Sequence, residues 1–221
     1  FSYAEFRAIA ALITSFLIVI LLGPRTIRWL LKMKIGDHPE FYNTTLNELM
    51  KGKKNTPTMG GILIIFAVVI STLLWSNLTV AYVWLVILVL VGYGIIGFFD
   101  DYGKLVSKSS RGVPGKVRLA GEIIIAFFVS VVIYVRPEFS HMVTIPFFKT
   151  VLPDIGIFYI FLTTFIIVGA ANAVNLTDGL DGLALGPAIT CFMTYLLFAY
   201  FAGNIKIAHY LQIPFVPGAG D

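Results

Sequence analysis

Charge is what this chain has least of. Asp, Glu, Lys and Arg make up 13% of its 221 residues, roughly half the share usual in a soluble domain. No charged residue occurs from Asn55 to Phe99, from Ile155 to Ala171, or from Leu183 to Ile205. Runs of that length exclude an ordinary water-soluble fold. With 58% hydrophobic residues and a mean hydropathy of +0.89, the chain reads as an integral membrane protein. Cysteine is almost missing as well. The single Cys191 excludes an intrachain disulfide and, set in an apolar run, reads as a small core residue. His38, His141 and His209 stand apart, with no spacing that suits a metal among them. The net charge of +4 fits an anionic membrane surface or an anionic substrate. No nucleic-acid partner is expected.

What is present is a series of apolar stretches long enough to cross a bilayer. The fold class that follows is all-α, a polytopic membrane protein with about six transmembrane helices here. Residues 1–221 are read as one transmembrane domain. The uncharged stretch Ala8–Leu22 runs through Gly23-Pro24-Arg25 into a basic but still apolar stretch ending at Lys32. It predicts one helix that crosses the membrane and enters the headgroups, with Trp29 as an interfacial anchor. The uncharged run from Asn55 to Phe99 would span roughly 68 Å as one helix, over twice the hydrocarbon thickness. It must therefore be two spans, with the reversal at Ser76-Asn77-Leu78-Thr79. Asp100-Asp101-Tyr102 is expected to close the third span and a basic loop to follow as far as Arg118. Glu122 then falls about one turn into the fourth span, with no role assigned. Val143-Thr144-Ile145 is expected as a short strand. The predicted spans are approximately 8–31, 58–75, 80–99, 119–135, 155–176 and 183–203.

Basic residues set the orientation. Seven lie between Gly23 and Gly60 and five between Asp100 and Arg118, together twelve of the sixteen, while the reversal at 76–79 has none. The positive-inside rule makes those two loops cytoplasmic and puts the N-terminus outside. Asp178 and Asp181 then fall on the cytoplasmic side with Asp100 and Asp101.

The chemistry concentrates there. Asn172, Asn175, Asp178 and Asp181 recur at every third position, a spacing that drifts about 60° per step on a straight helix. The two Asp-Gly pairs predict that the helix ends near Thr177 and that a turn gathers Asn175, Asp178 and Asp181. A polar connection between two membrane helices would have the same composition. Adjacent Asp100 and Asp101 at a helix C-terminus would repel each other and oppose the macrodipole, which favours a functional reading over a solvated helix end. Hard carboxylate oxygens suit Mg²⁺ together with substrate phosphates, and nearby cations suit phosphate oxygens. Lys104, Lys108, Lys116 and Arg118 fit a phosphate or simply enforce topology. Lys53-Lys54-Asn55-Thr56-Pro57 predicts a helix start with Thr56 as N-cap and Pro57 in the first turn. Two lysines before a helix N-terminus suit an anion, and equally an ordinary membrane-flanking anchor.

Three motifs carry a resemblance. Thr56-Pro57-Thr58-Met59-Gly60-Gly61, Gly97-Phe98-Phe99-Asp100-Asp101-Tyr102 and Asn172 through Gly182 closely resemble the phospho-N-acetylmuramoyl-pentapeptide transferases. These belong to the polyprenyl-phosphate N-acetylhexosamine-1-phosphate transferase superfamily. The likeness extends to Pro146-Phe147-Phe148-Lys149 and Tyr210-Leu211-Gln212-Ile213-Pro214, and so over essentially the whole chain.

The resemblance implies an enzyme of the bacterial inner membrane with its active site facing the cytoplasm. Such an enzyme transfers phospho-N-acetylmuramoyl-pentapeptide from UDP to undecaprenyl phosphate, giving lipid I and UMP, with Mg²⁺ as cofactor. By the resemblance Asp100 contacts or deprotonates the lipid phosphate, and Asp101 organises the metal and diphosphate. Lys53, Thr58, Asn175, Asp178 and Asp181 match positions lining the nucleotide-sugar pocket, with Asp181 nearest the uracil. Lys104, Lys116 and Asn172 join them as substrate-binding candidates. Membrane lipid is a partner, and a homodimer is the assembly considered.

The family fold has ten spans, of which this chain supplies about six. The family's later Met-Gly-Asp motif and histidine cluster have no counterpart here, so these residues are read as an N-terminal part, expected to be inactive alone. The alternatives are transfer of another N-acetylhexosamine-1-phosphate and, further off, an ion-coupled transporter, whose acids would sit nearer mid-membrane.

Overall fold

The computed structural model describes residues 3–32, 59–107, 112–137, 139–143, 145, 152–178 and 182–220. Seven helices form among them. They are α1 (Ala4–Lys32), α2 (Gly61–Trp75), α3 (Ala81–Ser107), α4 (Gly115–Val135), α5 (Phe158–Thr177), α6 (Leu185–Gly203) and α7 (Ile205–Leu211). No strand forms among the described residues. Of the strand expected over Val143-Thr144-Ile145, Thr144 lies outside the described residues, and the described part shows one isolated antiparallel bridge beside it, between Met142 and Asp154.

Five of these helices, α1, α3, α4, α5 and α6, are long and apolar enough to cross a membrane. The expected sixth span is met by α2, whose 15 residues rise about 22 Å, less than a full bilayer core. The Thr56 N-cap and Pro57 lie outside the described residues; within them α2 starts at Gly61, and Gly60 offers no side-chain cap. The protein is thus an all-α polytopic membrane protein. Large side chains point outward along the spans, with Phe158, Phe165 and Phe192 all more than 70% exposed. Lipid is a suitable solvent for such a surface, because tails are as apolar as the side chains they meet.

Hydroxyl groups in the spans must be satisfied without water. Thr14, Ser71, Ser130, Thr163, Thr164, Thr177 and Thr194 each donate to the carbonyl four residues earlier in their own helix.

The chain forms two compact units, Phe1–Ser76 with Leu90–Arg118, and Asn77–Val89 with Leu119–Asp221. In the first, α1 packs on α2. Trp75 Nε1 donates to Thr14 Oγ1 at 2.9 Å, and the Phe6 ring meets Trp75 edge-on at 6.0 Å. Leu30 and Met59 form a buried pair with Leu105 against it. A Cβ on Gly94 would meet the tip of the Ile65 side chain, Cδ1, at 2.5 Å.

In the second unit, Gly182 precedes α6 with a φ of 82°, which suits glycine. Asn204 caps α7, its Oδ1 accepting from the N–H groups of Lys206 and Ile207 at 3.1 and 3.3 Å. The predicted reversal after α2 is present. Ser76 is the C-cap, and Asn77 Oδ1 accepts from Thr79 N and Thr79 Oγ1 at 3.2 and 2.7 Å.

Two expectations need correction. Asp100 and Asp101 do not stand at the end of the third helix, because α3 continues to Ser107. Lys104, three and four residues on, neutralises both acids, so the helix propagates through them. Nor is the stretch to Arg118 all loop. Pro114 presets the first turn of α4, and its carbonyl accepts from Val117 N and Arg118 N at 2.8 and 3.1 Å. Lys116 and Arg118 are therefore helical, and Glu122 lies about two turns in rather than one.

Candidate functional site

The first group of candidate residues is built on the last two turns of α3. Asp100 is held from two sides. Lys104 Nζ donates to its Oδ2 at 2.6 Å, and Val113 N donates to its Oδ1 at 2.9 Å. The first contact follows from helical i,i+4 spacing. The second brings in a segment twelve and thirteen residues further on. Its approach requires glycine: a Cβ on Gly112 would overlap the Asp100 carboxylate and come within 2.9 Å of the Asp100 carbonyl oxygen. Gly103 and Gly112 also face each other, where a Cβ on Gly103 would make ordinary van der Waals contact with Gly112 at 3.9 Å.

Asp101 is less committed. Its carboxylate reaches Lys104 Nζ at 3.4 Å, and its side chain is 40% exposed against 13% for Asp100. The Lys104 side chain, 44% exposed, has room to move. Ion pairs at such exposure contribute about 1 kcal/mol or less, so their value here is placement rather than stability. Lys116 is exposed on the first turn of α4.

The second group is built on the end of α5. The helix ends at Thr177 as expected, and Asp178 is its C-cap, its N–H donating to Val174 O at 3.0 Å. Asn175 and Asp178 are exposed. Asn172 behaves differently. It is half-buried, and its Nδ2 donates both to Glu122 Oε2 on α4 and to Val168 O at 2.9 Å. Glu122, 5% exposed, is the group the sequence left without a role. Its signal was there: a lone carboxylate in the otherwise uncharged run from Leu119 to Val135. Gly112 and Val113 had no comparable signal. Lys53, Thr58 and Asp181 lie outside the described residues.

Among the described residues, no three His, Cys, Asp or Glu side chains come together as a metal-binding set. A hard cation held through one carboxylate and substrate phosphates needs fewer protein ligands. Asp101 fits that donor role, having an exposed carboxylate with one long contact. Asp100 fits it less well, since both of its oxygens already accept hydrogen bonds.

Comparison with known proteins adds the lineage. The family model for glycosyl transferase family 4 matches residues 81–216, more than half of the chain. The chain belongs to glycosyl transferase family 4. Within this family it also matches signature 1 of the phospho-N-acetylmuramoyl-pentapeptide-transferases, over residues 53–65. It is similar along its whole length to proteins of that name. Identity is 65% with the one from Syntrophus aciditrophicus (strain SB). It is 46% with that of Maridesulfovibrio salexigens and 45% with that of Geobacter sp. (strain M21). The chain spans 61% of the length of each of these curated relatives. The resemblance read from Thr56–Gly61, Gly97–Tyr102 and Asn172–Gly182 therefore holds for this member of family 4, and its relatives are enzymes by name.

Proposed function

We propose that the protein carrying this chain transfers phospho-N-acetylmuramoyl-pentapeptide from UDP to undecaprenyl phosphate, giving lipid I and UMP. The observation that carries this reading is the 65% identity, over every residue of the chain, to a relative named for that transfer. The site faces the cytoplasm of the bacterial inner membrane, on the argument from the twelve basic residues in the two alternate loops.

In this reaction an oxygen of the lipid phosphate attacks the β-phosphorus of the nucleotide sugar. The bond from that phosphorus to the bridging oxygen breaks, and UMP leaves with the electron pair. Little covalent work falls to the protein, so placing and neutralising charge dominate. Asp100 is the group to meet the lipid phosphate and take any proton it carries. In the free state its Oδ2 is occupied by Lys104. Lys104 moves from Asp100 to an incoming phosphate, which exposes Oδ2 and delivers a cation in one step. Val113 N–H keeps Oδ1 in place meanwhile. Asp101 is the residue to hold Mg²⁺ alongside the diphosphate. When bound, the ion supplies positive charge against the oxygens that develop negative charge. Asn175 and Asp178, exposed at the end of α5, are assigned to the nucleotide sugar, with Lys53, Thr58, Lys116 and Asp181.

The test is UMP release by the full-length protein in detergent, given undecaprenyl phosphate and Mg²⁺. UDP-N-acetylmuramoyl-pentapeptide should support turnover and UDP-N-acetylglucosamine should not. Turnover of the second alone would favour a related N-acetylhexosamine-1-phosphate transferase, a reading the broader family 4 match over residues 81–216 also accommodates. Turnover of neither would overturn both.

A further inference from the structure

We propose that Glu122 is a positioning residue for this reaction, acting through Asn172 to set where the end of α5 stands and so where Asn175 and Asp178 meet substrate. The assignment of that end of α5 to the nucleotide sugar rests on the transfer reading above; the contact itself does not.

Glu122 is 5% exposed and lies in an apolar span. A carboxylate there is costly and persists where a specific partner fixes it. Asn172 Nδ2 is that partner. An amide nitrogen has two N–H donors. Here one goes to Glu122 and the other to Val168 O at 2.9 Å. Neither donor is left for a ligand, so Asn172 is moved from the substrate-binding group to this supporting role. A second polar contact joins the same two helices. The Thr164 hydroxyl shares its one proton between Ile160 O at 2.7 Å and Ser130 Oγ at 3.1 Å, and Ser130, whose own proton goes to Ala126 O, is fully buried. The two contacts lie eight residues apart on α4 and eight apart, in the opposite direction, on α5. Two matched contacts fix both the axial position and the rotation of α5 against α4. From Asn172 the helix rises only about 4.5 Å to Asn175, and about 9 Å to the level of Asp178. A shift at the contact reaches both with little to absorb it.

The full-length protein tests this with Glu122→Ala, Glu122→Gln and Asn172→Leu. Glu122→Gln keeps a carbonyl to accept from Asn172, whereas Glu122→Ala does not. Glu122→Ala should raise KM for the nucleotide sugar about tenfold with kcat little changed, and Glu122→Gln should restore it to within about twofold, since the fault is one of placement. Asn172→Leu should match Glu122→Ala, and the double variant should be no worse than either alone. A wild-type KM in Glu122→Ala, additive effects in the double variant, or a loss that only follows the amount of folded protein would each overturn the proposal.

A second readout needs no reaction. In a background with Cys191 and every cysteine outside these 221 residues replaced by serine, Asn175→Cys gives one thiol at the end of α5. Its rate of labelling by a water-soluble maleimide should change severalfold with Glu122→Ala and return with Glu122→Gln. If the wild type releases no UMP, the transfer reading fails and these rates alone decide the placement claim. Equal rates in all three backgrounds would sink it. Should Glu122→Ala not fold, Asn172→Leu and Glu122→Gln carry both measurements.

Discussion

Gly112 lies so close to Asp100 that no side chain fits between them. A Cβ there would overlap the Asp100 carboxylate and sit 2.9 Å from the Asp100 carbonyl oxygen, which is backbone and cannot swing aside. The next residue, Val113, donates its N–H to the same carboxylate. Overpacking of this kind costs about 1–3 kcal/mol or displaces the intruding segment. Gly112→Ala should therefore lower UMP release about tenfold or more while the protein still purifies as a single species. Wild-type turnover in Gly112→Ala would show that the contact has no bearing on Asp100.

Asp100 and Lys104 should fail in different ways. Removing a general base typically costs about 10²- to 10⁴-fold in rate. Asp100→Asn should fall in that range in kcat. Lys104→Gln loses the cation meant for the phosphate but frees Asp100. It should act mainly on KM for one of the two phosphate substrates, with the base intact. Steady-state kinetics with each substrate varied in turn separates the two patterns. Identical profiles for both variants would refute the exchange of Lys104 from carboxylate to phosphate.

Metal dependence should run through Asp101. Chelation with EDTA should abolish turnover and added Mg²⁺ should restore it. Asp101→Asn weakens one hard oxygen ligand and should raise the Mg²⁺ concentration for half-maximal rate about tenfold or more. Asp100→Asn should leave that concentration closer to the wild-type value. A Mg²⁺ titration of the three proteins decides it, and an unshifted midpoint in Asp101→Asn would remove Asp101 as a ligand.

Stability has its own test, away from the candidate residues. A Cβ on Gly203 would run into Gly220 N and lie 2.9 Å from Gly220 Cα. All of these atoms are main chain, so relief requires the segment after α7 to move. Gly203→Ala should cost about 1–3 kcal/mol and lower the midpoint of thermal unfolding in detergent. An unchanged midpoint would mean that the segment does not pack against α6 in solution.

The sequence made the apolar helices legible because their signal is local. Bilayer thickness and the lack of charge place the helices, and Ser76–Thr79 and the Asp-Gly pairs after Thr177 place two of their ends. The Asp100–Asp101 pair misled as a helix end because the remedy, Lys104, works only once the helix is already formed. Motif likeness pointed to Asp100 but not to what holds it. Gly112 and Val113 reach it through a tertiary approach with no periodicity to announce it. Asn172 was legible as a polar residue in an apolar segment, yet its partner on α4, fifty residues earlier, was not. Glu122 stood out only as an anomaly, and one sequence does not say which of the other helices answers an anomaly.

The matched eight-residue spacing between Glu122 and Ser130 on α4 and between Thr164 and Asn172 on α5 limits how this pair of helices can change in length. One residue inserted between Glu122 and Ser130 would turn one of the two contacts about 100° away from its partner and slide it about 1.5 Å along the axis. No compensating substitution at either end brings both back. The interval tolerates exchange of side chains but not of length, unless α5 changes by the same amount between its own two contacts. Insertions and deletions within these helices should therefore occur in pairs or not at all.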